Sequence, residues 1–145
     1  MSPAATQPRA CAIADTLGIV GERWALLVVR ELFWGVHRFS DIQRNTGAPR
    51  DVLSARLRSL VEAGIAEQRP YSERPPRSGY HLTRAGRDLA PVLMALYEWG
   101  DRHLPSDDER DQFPHGDHRL EPVIEVRCRE CGDVVWRDGR PHRHA

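Results

Sequence analysis

Residues 49–64, PRDVLSARLRSLVEAG, constrain this chain more than any other stretch. Wound at 3.6 residues per turn, they bring Leu53, Leu57, Leu60 and Val61 onto one stripe, which must seat on a core. Asp51, Ser54, Ala55 and Arg58 come round to the other side, as a short, polar and partly basic edge. A helix that enters a DNA major groove needs such an edge, because bulky outward side chains block the approach. Many plain surface helices share the pattern, so its neighbours decide the reading.

Before this helix, FSDIQR (39–44) reads as a shorter helix that Ser40 is placed to cap, with Phe39 and Ile42 pointing inward. Thr46-Gly47-Ala48-Pro49 follows as a turn, and Pro49 suits the first turn of the next helix, where a missing N–H has no partner to lose. Short helix, tight turn and longer helix is helix-turn-helix order. After it, Gly64 ends the helix, Ile65–Arg69 reads as a strand, and YSERPPRSG (71–79) as a loop stiffened by two prolines. Tyr80-His81-Leu82 returns as a second strand. The resulting hairpin is a wing, with Arg74 and Arg77 at its tip, where rigid exposed charges fit phosphate positioning.

Upstream, Ala12–Val20 reads as a short helix with Ile13, Leu17 and Val20 on one side. ERWALLVVRELFW (22–34) reads as the central core helix, with Trp24, Leu27, Val28 and Leu32 at helical spacing and Trp24 as core filling. Downstream, Thr83 caps a helix running from Arg84 to about His103, with Leu89, Val92, Leu93, Leu96 and Trp99 as its stripe and Pro91 as a kink. Apolar faces left over at both ends of a small winged domain suggest a two-fold dimer, the symmetry that palindromic sites require.

Charge follows this layout. The whole chain balances 21 arginines against 21 acids with no lysine, but residues 38–87 carry ten arginines against five acids and residues 105–145 seven against ten. The middle is basic and the tail acidic. No run of 18 apolar residues is present, so no membrane span is expected. The N-terminus lacks an apolar signal core and the three cysteines are odd in number, so a cytoplasmic protein is expected rather than a disulfide-stapled secreted one. The histidines cluster in the second strand and the tail, and no nucleophile pairs with a base, so no enzyme is expected.

The domain layout read from these features is a disordered arm at 1–9, a winged domain at 10–104, and an acidic linker with a C-terminal extension at 105–145. In the extension, His115-x2-His118 precedes Cys128-x2-Cys131-Gly132 by nine intervening residues. Two ligand pairs at that spacing suit a zinc ribbon with a structural zinc, Val123–Val126 and Val134–Trp136 being its strands; His142 and His144 compete for the histidine roles. A reduced cysteine pair on a tail with solvated histidines fits the same residues.

The ordered motifs resemble the HxlR-type regulators. They are C-A-I-A (11–14), V-G-E-R-W (20–24), R-E-L (30–32), R-F-S-D-I (38–42), L-S-A-R-L (53–57), E-A-G-I (62–65), R-P-Y-S-E-R-P-P (69–76), Y-H-L-T (80–83) and W-G (99–100). That family is winged helix-turn-helix transcription factors related in fold to the MarR type. The resemblance implies a mainly α fold with a small β wing (α+β), a homodimer joined through its terminal helices, the 49–63 helix in the major groove of an operator, no enzymatic activity and no required cofactor. The chain departs from the pattern at Ala12, where Pro is frequent, and at Gly79, where a larger residue is usual and whose presence is expected to loosen the wing.

On this reading Arg50, Ser54 and Arg58 approach base edges, with Asp51 on the same edge. Arg38, Ser40, Arg74 and Arg77 hold the backbone, while Arg56 on the flank takes a phosphate or a neighbouring carboxylate. Cys11 precedes the first helix. It reads first as a small hydrophobe at the dimer seam, and alternatively as a thiol that helix amides make reactive toward an oxidant or a small-molecule effector. A winged protein-interaction module without specific DNA binding is the other class the sequence admits.

Overall fold

The computed structural model describes residues 9–104, 113–137 and 140–141. Residues 1–8 of the expected arm, the expected linker at 105–112, and His142 and His144 lie outside the described residues. The chain divides into two compact units, Met1–Ala90 and Pro91–Ala145.

The first unit runs α1 (Ala12–Val20), α2 (Arg23–Phe33), α3 (Phe39–Thr46), α4 (Arg50–Glu62), β1 (Ala66–Glu73), β2 (Pro76–Leu82) and α5 (Arg84–Arg87). Helix α2 is its axis. Ala25, Val28, Val29 and Leu32 are buried along it, as are Ile42 on α3 and Leu53, Leu57 and Leu60 on α4, and α2 packs against both of those helices. Each such fully buried aliphatic side chain contributes roughly 1.5–3 kcal/mol over an exposed one, so this α2–α3–α4 seam is what holds the helix-turn-helix. Trp24 falls outside it. It is half-buried, with the Arg23 guanidinium 4.5 Å above its ring, so the expectation that it fills the core is corrected.

The turn between α3 and α4 is tight. Gly47 has φ +74°, a left-handed backbone that glycine adopts at little cost, and its N–H donates to Gln43 O at 2.9 Å. Thr46 Oγ1 donates to Ile42 O (2.8 Å) and accepts from Ala48 N (3.3 Å), closing the corner. Ser40 does not cap α3. The helix starts two residues earlier than that role requires, Arg38 holds the cap position with no side-chain bond, and Ser40 lies within the first turn.

The hairpin is longer than the sequence suggested. Strand pairing reaches from Ala66↔Leu82 out to Glu73↔Pro76, with an irregularity between Pro70 and Ser72, so the expected loop at 71–79 is mostly strand. A two-stranded ribbon leaves half its N–H groups unpaired, and proline costs nothing at those positions. At the base of the wing Thr83 Oγ1 accepts from Gly86 N at 3.2 Å, capping α5 as expected, and donates to Gly64 O at 2.5 Å. The helix from Arg84 does not continue. It ends at Arg87, and a new helix begins at Ala90 with Pro91 in its first turn, where proline belongs.

The second unit contains α6 (Ala90–His103), the hairpin β3–β4 (Pro114–His115 and His118–Arg119) and an antiparallel sheet of β5 (Glu125–Arg127), β6 (Val134–Arg137) and β7 (Arg140–Pro141). Arg119 of β4 reaches Tyr97 Oη (3.3 Å) and Asp101 of α6, and Tyr97 meets Phe113 edge-on at 5.0 Å. Glu125 takes Arg127 (2.6 Å) and Arg137 (2.6 Å) together, and these two guanidiniums hold its carboxyl below the usual range. Of the α6 stripe, Leu93 is buried while Val92, Leu96 and Trp99 are exposed. No helix among the described residues is long and apolar enough to cross a membrane.

Candidate nucleic-acid interface

Helix α4 presents the edge that its sequence pattern requires. Leu53, Leu57 and Leu60 are buried on one side, while Arg50, Asp51 and Arg58 are exposed and Ser54 and Ala55 half-buried on the other. Arg50, Ser54, Arg58 and Val61 line one wall of an open groove of about 550 Å³, and Phe39 of α3 and Gln68 and Tyr80 of the hairpin complete it. Helix α4 and the hairpin therefore border a single concavity. Gln68 Nε2 donates to Tyr80 Oη at 3.0 Å across the strand pair, fixing two polar groups on the wing side. Glu62 is the one acid among the lining residues.

The basic residues around this groove divide into anchored and unanchored sets. Arg38 is exposed and stacks 4.9 Å over the ring of Tyr71 on the wing, tying the start of α3 to β1. Arg50 lies 5.3 Å over Phe39, which leans its guanidinium across the mouth of the helix-turn-helix. Arg44 is engaged by Asp41 at 2.7 Å. Arg56 turns away from the groove: it is half-buried, 3.5 Å from Glu22, whose carboxylate also caps α2 through Trp24 N at 3.1 Å. Arg58, Arg74 and Arg77 are exposed and form no ion pair among the described residues. Arg74 stands in the wing turn and Arg77 in β2 beside it, opposite Ser72.

Two structural supports, at Glu31 and His37, have no counterpart in the sequence reading. Glu31 on α2 is 1% exposed, bound by Arg30 at 2.8 Å and by Asn45 Nδ2 at 2.8 Å. It bolts α2 to the end of α3. His37, in the α2–α3 loop, extends the wing: Tyr80 N donates to His37 O (2.9 Å), and His37 Nδ1 donates to Tyr80 O (2.8 Å). Its ring stacks on His81 at 3.8 Å. Burial, and then the nearby His37 and Arg69, hold the His81 pKa below the ordinary histidine value, with Glu67 pulling weakly the other way. Gly79 fits under this contact. A Cβ there would lie 3.3 Å from both His37 Cβ and His37 O, so the glycine seats the wing on the helices, and the expectation of a loosened wing is corrected. A lone acid inside an apolar helical run was the one legible signal for the Glu31 site.

Away from the groove, Cys11 is the N-cap of α1. Its side chain makes no capping hydrogen bond, but the nearby amides of Ala14 and then Ile13 lower the thiol pKa. The candidate zinc ligands fall on two separate turns. His115 and His118 face each other across the β3–β4 hairpin, with ring centroids 5.2 Å apart, and Cys128 and Cys131 share the β5–β6 turn. Among the described residues no three His, Cys, Asp or Glu side chains gather as a metal would need.

Comparison with known proteins fits this geometry. The HxlR-like helix-turn-helix family pattern matches residues 19–108. An HTH-type transcriptional regulator of Mycobacterium tuberculosis (strain H37Rv) is 46% identical over 121 residues, covering 83% of this chain and 69% of the relative. Among solved structures, the transcription-factor candidate PA1607 superposes with a TM-score of 0.76 at 32% identity, over 88% of this chain and 90% of that one. The redox regulator HypR in its oxidized form superposes with a TM-score of 0.60 at 28% identity, over 66% of this chain and all of that one. With a winged helix-turn-helix whose recognition edge is open and a family match across most of its length, the chain belongs to the HxlR-like helix-turn-helix family of transcriptional regulators.

Proposed function

We propose that this regulator binds operator DNA sequence-specifically as a homodimer and represses the promoter beneath it. The observation that carries the reading is the shared groove: Arg50, Ser54 and Arg58 on α4 face the same space as the wing residues Gln68 and Tyr80. Arg58 is the guanine-reading side chain, since a bidentate arginine–guanine contact supplies about 1–3 kcal/mol of base discrimination. Arg38, Ser40, Arg74 and Arg77 engage phosphates and set the register. Arg56, committed to Glu22, supports the helix rather than reading DNA.

Dimerisation is supported by apolar side chains that a single chain leaves in water. Ile13, Leu17 and Ile19 on α1 and Val92, Leu96 and Trp99 on α6 are all exposed. A two-fold pair of such faces would place two α4 helices on successive major grooves. Thiol control through Cys11 is supported by the amides of Ala14 and Ile13 that lower its thiol pKa and by the likeness to HypR, a redox regulator. Oxidation at that N-cap would disturb the helix that carries Ile13 and Leu17, and so the pairing on which operator binding depends.

Anisotropy titration of the full chain on duplexes from the promoter of its own gene, against scrambled duplexes, tests the reading at two salt concentrations. Tight binding restricted to one duplex, with affinity falling steeply as salt rises, is expected. Indifference to every duplex would favour a protein-interaction module built on the same fold. Release of the bound duplex by oxidant that persists in Cys11→Ser would remove Cys11 from the account.

A further inference from the structure

The turn that joins β5 to β6 plays no part in the DNA-binding reading. Cys128 N donates to Asp133 O at 2.8 Å and Gly132 N to Cys128 O at 2.8 Å, closing residues 128–133 into a compact loop. Gly132, at φ +78°, supplies the left-handed backbone that this closure requires. Cys128 and Cys131 stand three residues apart in this loop, and the Cys131 amide, the Cys131 thiol and the Glu130 amide hold the Cys128 thiol pKa below its ordinary value. The closed turn therefore keeps the two cysteines within reach of one another. Cys128 is half-buried and Cys131 exposed, so the pair is open to a small oxidant from the Cys131 side.

We infer that Cys128 and Cys131 form a dithiol redox site, which a two-electron oxidant of the peroxide class closes to an intrachain disulfide and a small dithiol reopens. The reach is right: the ends of a four-residue turn stay within about 7 Å, and a disulfide spans about 4.4–6.8 Å between Cα atoms. Only side-chain rotation is needed to bring the sulfurs to bonding distance. With hydrogen peroxide, Cys128 Sγ attacks one oxygen; an S–O bond forms, the O–O bond breaks, and the departing hydroxide takes the thiol proton to leave as water. Cys131 Sγ then attacks Cys128 Sγ; the S–S bond forms, the S–O bond breaks, and the second oxygen leaves as water with the Cys131 proton. Two thiols are oxidised and one peroxide is reduced to two waters.

A metal explains the same turn less well. A tetrahedral soft-metal site needs four ligands, the turn supplies two, and among the described residues no third His, Cys, Asp or Glu joins them.

The test uses the full chain carrying Cys11→Ser, which leaves two of the three cysteines. One equivalent of hydrogen peroxide per chain is expected to take the free-thiol count from two to none, lower the intact mass by two hydrogens, and yield a peptide internally linked between Cys128 and Cys131. Dithiothreitol restores both thiols. With Cys131→Ser added, Cys128 is expected to stop at the sulfenic acid and be trapped by dimedone, without a disulfide. Each readout is independent of DNA binding and of Cys11. Two thiols that survive peroxide, cross-links between chains instead of within one, or thiols that react only after a chelator strips a bound zinc would each overturn the inference.

Discussion

Asn45 Nδ2 lies 2.8 Å from Glu31 Oε2 and joins the last turn of α3 to a carboxylate that is 1% exposed within α2. Arg30 occupies the other oxygen through two N–H groups, at 2.8 and 3.0 Å. A charge so placed is tolerated only while its lone pairs are filled, so this acid fixes how the first helix of the helix-turn-helix sits on the core.

Asn45→Ala is therefore expected to cost about 1.5–3 kcal/mol, the range for losing a hydrogen bond to a charged group. Glu31→Ala should cost more, because it removes the anchor of both Arg30 and Asn45. Urea unfolding at neutral pH measures both. Equal midpoints for Asn45→Ala and the parent chain would show the bond to be ornamental.

The wing carries the second expectation. In Gly79→Ala the added methyl would sit 3.3 Å from His37 O and His37 Cβ, tighter than ordinary contact, at the place where Tyr80 N bonds His37 O. Overpacking of a closed site costs about 1–3 kcal/mol. Beyond that loss, duplex binding should weaken on specific and scrambled DNA alike if, as proposed, the wing positions the backbone and reads no base. A drop confined to the specific duplex would place Gly79 in base reading.

These supports mark where the sequence stops being legible. The α3–turn–α4 unit could be read because Leu53, Leu57 and Leu60 recur at helical spacing and Gly47 and Pro49 punctuate the turn. Trp24 was misplaced because ERWALLVVRELFW is apolar nearly all round, and such a run fixes that a helix is buried without fixing its phase. The extended hairpin was hidden by prolines, which weaken a strand prediction without excluding a two-stranded ribbon. Glu31–Asn45 and His37–Tyr80 join residues 14 and 43 positions apart, and no local pattern encodes either. The open edge of α4 was visible; the neighbours that aim it were not.

Acid should loosen the wing. The folded-state pKa of His81 is held below the ordinary histidine value, first by burial and then by His37 and Arg69, with Glu67 opposing. Between that lowered value and about 6.5 the unfolded chain binds a proton that the folded chain refuses. Stability contributed by the neutral ring is therefore complete above about pH 6.5 and declines as pH falls toward the folded-state value. His81→Phe keeps a flat ring over His37 and should flatten this part of the stability profile, measured by thermal melts across the mildly acidic range. An unchanged slope in the variant would assign the acid sensitivity elsewhere.

Arg58 and Arg77, both exposed and without an ion pair among the described residues, should fail in different ways. Arg58 stands on the exposed edge of α4, among Ser54, Val61 and Glu62, where a base edge is the natural partner. Arg77 stands in the wing beside Arg74, and on the proposed reading its partner is a phosphate. Arg58→Ala should cost about 1–3 kcal/mol on the specific duplex and little on scrambled DNA, with relaxed preference at one position of each half-site. Arg77→Ala should weaken both duplexes by the same factor and lower the salt slope by about one counterion per site. Both side chains are exposed, so neither change should disturb folding, and the two effects separate cleanly in paired titrations at two salt concentrations. Should Arg58→Ala lose affinity equally on both duplexes, its role would be electrostatic and the reading of sequence would pass to Arg50 and Ser54.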